Sequence, residues 1–188
     1  GGTHHAHFSY GYGFCIFNDL AYTAINLIEE KLVKNVLVLD LDVHQGDGTI
    51  DICQNYPSIY TCSVHSKESF PFDKKKGWLD IGLPAQIGDF EYLKTIEKTL
   101  HNIKDKITPD IVLYDAGVDV HVKDKLGNFK LSTEGIHKRD RIVLDHFLNH
   151  KIPIATVIGG GYSKNISELA ERHSIIFENA IQLSNFIY

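Results

Sequence analysis

Val36-Leu37-Val38-Leu39 is an unbroken apolar run that stops abruptly at Asp40-Leu41-Asp42-Val43-His44-Gln45-Gly46-Asp47-Gly48. An apolar run this short, bounded by turn residues, predicts a strand buried on both faces, as in a parallel sheet. The pattern recurs along the chain. Ile59-Tyr60-Thr61-Cys62-Ser63-Val64 and Asp110-Ile111-Val112-Leu113-Tyr114 read as further strands, and Ile152 to Ile158 as a fourth, broken by Gly159-Gly160-Gly161. Helical spacing fills the gaps. Asn18-Asp19 caps a helix carrying Ala21, Ile25, Ile28 and Leu32, and Asp89 caps one carrying Tyr92, Leu93, Ile96, Leu100 and Ile103. Thr133 to His150 reads as another helix, and Asn165-Ile166-Ser167-Glu168 as a capping box opening the last. Strands alternating with helices predict an α/β fold whose central parallel sheet is flanked by helices. In such sheets ligands gather at the carboxyl ends of the strands.

Length and charge narrow the field. The 188 residues suit one domain with a sizeable core. A net charge of −5 argues against direct nucleic-acid binding, and no apolar run nears the ~20 residues of a membrane span. Three cysteines, odd in number and without a CxxC pair, suit a reducing, cytoplasmic setting. Methionine is absent throughout, which fits either a trimmed initiator or an excerpt of a longer chain.

Three carboxylates and a histidine crowd the end of the first buried strand, an arrangement that is expensive unless they are paired or bound to metal. In extended chain Asp42 and His44 point to one side, and together they suit a divalent metal such as zinc. Asp115 or Asp119, after the third strand, could complete a set of two carboxylates and one imidazole with an open coordination position. His4-His5-Ala6-His7 offers groups able to move protons near neutral pH. Ile158-Gly159-Gly160-Gly161-Tyr162 allows close backbone approach and could aim a phenol into the site. Each element alone has a plainer reading: an acidic loop, a turn aspartate, a tag remnant, a glycine turn.

Together, GGTHHAH, GYGFCIFND, LVLDLDVHQGDGT, YDAGVDVH and IGGGY, in that order, resemble the histone deacetylase superfamily, and DKLGNFKLSTEGIHKRD resembles its class IV branch and bacterial relatives. The resemblance implies the three-layer arginase–deacetylase fold and zinc-dependent hydrolysis of an N-acyl lysine or similar amide. It makes Asp42, His44 and Asp119 the ligands of one zinc per chain. It makes His4 and His5 the catalytic pair, backed by Asp40 and Asp47 respectively, with His5 the general base and Tyr162 the oxyanion donor. Phe14 and Phe70 match aromatic walls around the acyl stem, beside Gly13 and Gly160 as further substrate contacts. Asp40, Asp42, His44 and Ser63 match a structural potassium site. The partners implied are an acetylated lysine peptide or protein, or an acetylated small amine. A chain opening inside GGTHHAH is expected to be a deacetylase domain, residues 1–188, lacking its amino-terminal part.

Three other readings compete, one being an arginase-like hydrolase, which shares the fold but needs more ligands for two manganese ions. Asp40-Leu41-Asp42 after an apolar strand resembles the loop of haloacid-dehalogenase-like phosphatases, in which the first aspartate attacks phosphate. A metal-bound acyl-lysine binding module without turnover is the non-enzymatic reading.

Overall fold

The computed structural model describes residues 1–184. Its elements run α1 (Asp19–Glu29), β1 (Val36–Asp40), α2 (Asp47–Cys53), β2 (Ile59–Ser66), β3 (Leu79–Leu83), α3 (Asp89–Lys106), β4 (Ile111–Asp115), α4 (Thr133–Asn149), β5 (Ile154–Val157) and α5 (Ile166–Ser184). The five strands form one sheet in the order β3-β2-β1-β4-β5, every neighbouring pair parallel. β1 is central, and its burial on both faces follows from the alternation of its side chains. Val36 and Val38 join Leu113 and Ile59 beneath α1 and α2. Leu37 and Leu39 join Val112 and Tyr114 beneath α3, α4 and α5. The result is the expected three-layer α/β arrangement, helices on both faces of a parallel sheet.

Two elements escape the sequence pattern. β3 is an edge strand whose apolar residues, Leu79, Ile81 and Leu83, alternate with Asp80 and Gly82 behind a lysine run. α2 has Gly46 as its N-cap, so Gly46-Asp47-Gly48 reads as a turn although the helix starts within it. One capping assignment is corrected. Gly88 is the N-cap of α3, and Asp89 does not cap its own helix. Its carboxylate instead accepts from the Ser132 backbone N–H at 2.8 Å and hydroxyl at 2.6 Å, bracing the start of α4.

Beneath the strand ends sits a fully buried ion pair. Arg139 of α4 donates to Asp140 at 2.8 Å and to the carbonyls of Gly117 at 2.6 Å, Ala116 at 3.0 Å and Leu41 at 3.3 Å. Those carbonyls belong to the turns leaving β1 and β4. One guanidinium fork therefore ties together the two loops that carry the acidic residues.

Candidate active site

The loops after β1 and β4 bring Asp42, His44 and Asp119 together, one ligand atom from each lying within 4.8 Å of the others. His44 Nδ1 is 3.1 Å from Asp42 Oδ1 and 3.0 Å from Asp119 Oδ2. The sequence assigned the convergence of Asp42 and His44 to an extended strand, but β1 ends at Asp40. A bend achieves it, with the His44 backbone N–H donating to Asp42 Oδ1 at 2.8 Å. The choice between Asp115 and Asp119 is resolved in geometry. Asp119 joins the triad, while Asp115 points toward His4, its Oδ2 3.9 Å from His4 Nδ1.

The three groups of the triad perturb one another strongly. Burial drives Asp119 up to about 7, with Asp42 adding to the rise. Burial opposes ionisation of Asp42, but the charges and hydrogen bonds of His4 and His44 outweigh it and hold that carboxyl low. Burial pulls His44 down, yet its bonds to Asp119 and Asp42 lift it to about 10. Two buried carboxylates facing one imidazole suit a divalent metal with an open position. Gly160 packs under this triad. Its N–H donates to Asp42 Oδ2 at 2.9 Å, and a Cβ there would strike both carboxylates. Gly160 also lines the small pocket it shares with His4, His5, Asp42, His44, Asp119 and Tyr162.

Two imidazole–carboxylate pairs stand beside the triad. His4 Nδ1 meets Asp40 Oδ2 at 2.7 Å, and His5 Nδ1 meets Asp47 Oδ1 at 2.6 Å. The two Nε2 atoms lie 3.2 Å apart. The other Asp40 oxygen accepts from the Asp42 backbone N–H at 3.1 Å. Asp40 is buried and bonded through both oxygens, and it lines neither the aromatic groove that leads to His5 nor the small pocket beside it, where an attacking carboxylate would have to stand.

A groove of about 630 Å³ leads down to His5 and His44, with Tyr12, Phe14, Phe70 and Tyr162 among its walls. Phe14 is largely exposed and its ring centroid lies 6.2 Å from that of Tyr162, while Phe70 packs edge-on to His5 at 4.9 Å. Gly13 (φ 50°) needs its glycine, because a Cβ there would press into the His5 ring. Burial and the nearby Asp42 and Asp119 charges push the Tyr162 phenol up, keeping it an O–H donor. At the position matched to a potassium site, the Ser63 hydroxyl lies 3.0 Å from His65 Nδ1.

Some site features escape the sequence. His7 shares Asp47 with His5, at 3.2 Å, and reaches Asp51 at 2.9 Å. The His-His-Ala-His spacing placed a third histidine nearby but gave it no partner. Asp115 Oδ2 is buried without a hydrogen-bond partner.

Comparison with known proteins identifies the family. A model of the histone deacetylase domain matches residues 1–176. An uncharacterised protein of Picosynechococcus sp. is 46% identical over 180 residues, covering 96% of this chain and 60% of that protein. Histone deacetylase 2 of Arabidopsis thaliana is 30% identical over 168 residues, covering 88% and 43% respectively. The fold is similar to the crystal structure of a histone deacetylase homologue from Aquifex aeolicus, with a TM-score of 0.79 and 28% identity over 94% of this chain and 49% of that one. The chain spans about half the length of these relatives. It belongs to the histone deacetylase family.

Proposed function

We propose that this chain carries the catalytic residues of a zinc-dependent deacetylase that hydrolyses an N-acyl lysine or a similar acylated amine. The observation that carries the reading is the meeting of the Asp42-His44-Asp119 triad with two carboxylate-backed histidines at the floor of an aromatic groove. Asp42, His44 and Asp119 would hold one zinc ion. When bound, zinc supplies Lewis acidity toward an amide carbonyl and a water molecule.

His5 removes the proton from the attacking water. It suits this task because burial, the largest influence, holds it below its ordinary value and so in the neutral form. For His4, burial is outweighed by Asp40 and Asp42, which hold it protonated. A protonated imidazole 3.2 Å from the base can return a proton to the leaving amine. Tyr162 donates its hydroxyl proton toward the oxygen on which charge develops. Asp40 and Asp47 fix the orientation of their histidines. Phe14 and Phe70 flank a slender alkyl stem, which favours acylated lysine, in peptide or protein, or an acylated small amine.

A structural potassium ion near Asp40, Asp42, His44 and Ser63 and a cytoplasmic setting belong to the same proposal. The unpaired state of all three cysteines supports the latter.

The test is a panel of acetyl-lysine peptides, longer acyl-lysines and acetylated polyamines incubated with zinc-loaded protein, scored by release of free amine. Amine release from one class, lost on chelation and restored by zinc, supports the reading. Tight binding of acyl-lysine peptide without release favours the binding-module alternative.

A further inference from the structure

The loop that leaves β4 carries Asp119 of the triad and, further along, Asp124, to which the proposed mechanism gives no task. Asp124 Oδ1 accepts from the backbone N–H groups of Leu126 and Gly127, each at 2.8 Å. Its Oδ2 accepts from the Tyr162 backbone N–H at 2.7 Å. The Asp124 N–H donates to the His121 carbonyl at 2.8 Å, and the Val122 N–H to the Leu131 carbonyl at 2.8 Å. One carboxylate oxygen thus closes the local turn. The other reaches out of it, across 38 residues of sequence.

What it reaches is the loop that presents the Tyr162 phenol. Gly159, Gly160 and Gly161 carry no side chains to pack, so backbone hydrogen bonds must hold that loop. The Val118 N–H donates to the Gly160 carbonyl at 2.7 Å, and the Gly160 N–H to Asp42 Oδ2 at 2.9 Å. Both of these pins precede the tyrosine, whereas the bond from Asp124 acts on Tyr162 itself. The Tyr162 ring stands where placement counts, lining both the aromatic groove and the small pocket that holds the triad. A misplacement of about 1 Å in a reacting group can cost about 100-fold in rate.

We propose that Asp124 is a positioning residue that sets the reach of the Tyr162 hydroxyl toward the metal-binding triad. A single folded turn then supplies both the triad member Asp119 and the acceptor that seats Tyr162. The task needs two acceptor oxygens, one for the turn and one for the tyrosine, and a carboxylate has two where an amide or hydroxyl has one. The inference rests on the deacetylase reading only where it gives the Tyr162 hydroxyl a task; the link between Asp124 and Tyr162 stands without it.

Asp124→Asn is the discriminating variant. Its carbonyl oxygen can keep the Leu126 and Gly127 N–H groups, but its NH2 then faces the Tyr162 N–H, donor against donor. The opposite orientation gives up two contacts to keep one. Amide hydrogen exchange, read by nuclear magnetic resonance on zinc-loaded protein, is expected to find the Tyr162 N–H protected in wild type. In Asp124→Asn it exchanges ~5- to 10-fold faster, with Leu126 and Gly127 little changed. On an acetyl-lysine peptide Asp124→Asn lowers kcat about 10-fold and leaves KM within about 2-fold. In Tyr162→Phe, which has no hydroxyl to place, the same substitution costs no more than about 2-fold. Equal losses in the two backgrounds overturn the proposal, because Asp124 then supports the fold and not the hydroxyl. So does a Tyr162 N–H that exchanges freely in wild type, a result that needs no variant to fold. If wild type releases no amine while Asp124→Asn frees a protected Tyr162 N–H, the deacetylase reading fails and the seating of Tyr162 by Asp124 holds.

Discussion

The Nε2 atoms of His4 and His5 lie 3.2 Å apart, yet their surroundings drive the two rings in opposite directions. Burial disfavours the charged form of both. At His4 the charges of Asp40 and Asp42 overcome it, whereas at His5 burial prevails over the Asp47 bond. A base works in its neutral form, and the folded value of His5 lies below 6.5. Activity is therefore present above that ordinary value and lost as pH falls through the folded one. The acid limb of kcat/KM is expected below pH 6.5. A limb centred above about pH 7 contradicts this assignment.

Metal loading follows from the triad. Saturated protein is expected to hold one zinc per chain, and Asp42→Ala or Asp119→Ala to hold almost none, because two ligands remain. Zinc at a thousandfold excess over Kd stabilises the fold by about 4 kcal/mol. Elemental analysis beside calorimetric melting, before and after chelation, reads both quantities. Two zinc ions per chain contradict the single site.

Asp115 separates a neutral carboxyl from a charged one. Its Oδ2 is buried without a partner, and burial, with Asp40 adding to it, pushes the carboxyl well above the usual range. Asp115→Asn keeps both shape and neutrality, so the expected loss in kcat is within about 3-fold. Asp40→Asn deprives His4 of its counter-charge and is expected to cost about 100-fold. Equal losses in the two variants would show Asp115 to be ionised.

Arg139→Met leaves the Asp140 carboxylate buried and three carbonyls short of a donor. Breaking a buried pair from one side costs about 3–5 kcal/mol. Arg139→Lys is expected to fare little better, since an ammonium lacks the planar fork that spans those carbonyls. Urea unfolding reads the loss, and Arg139→Met combined with Asp140→Leu is expected to recover part of it. A loss below about 1 kcal/mol for Arg139→Met removes the pair from any role in holding the β1 and β4 turns.

What was legible in the sequence is what is local. The β1 run, the Asp42-Val43-His44 spacing and the adjacent His4 and His5 are each written within a few residues, although Asp42 and His44 converge through a bend rather than in extended chain. The missed features depend on partners far along the chain. Asp89 looks like a cap because it opens α3, but its partner is Ser132, 43 residues on. Asp47 is 40 residues from His7, so nothing local reveals the shared carboxylate. β3 carries a weak alternating signal because it is an edge strand whose exposure follows from the sheet order.

The central claim is that His5 and Tyr162 perform amide hydrolysis beside the Asp42-His44-Asp119 triad. The most direct measurement is deacylation of an acetyl-lysine peptide by zinc-loaded wild type, His5→Ala and Tyr162→Phe, with zinc content and folding matched. The account predicts that each variant binds its zinc and slows the reaction at least ~100-fold. Rates equal to wild type in both variants would contradict it.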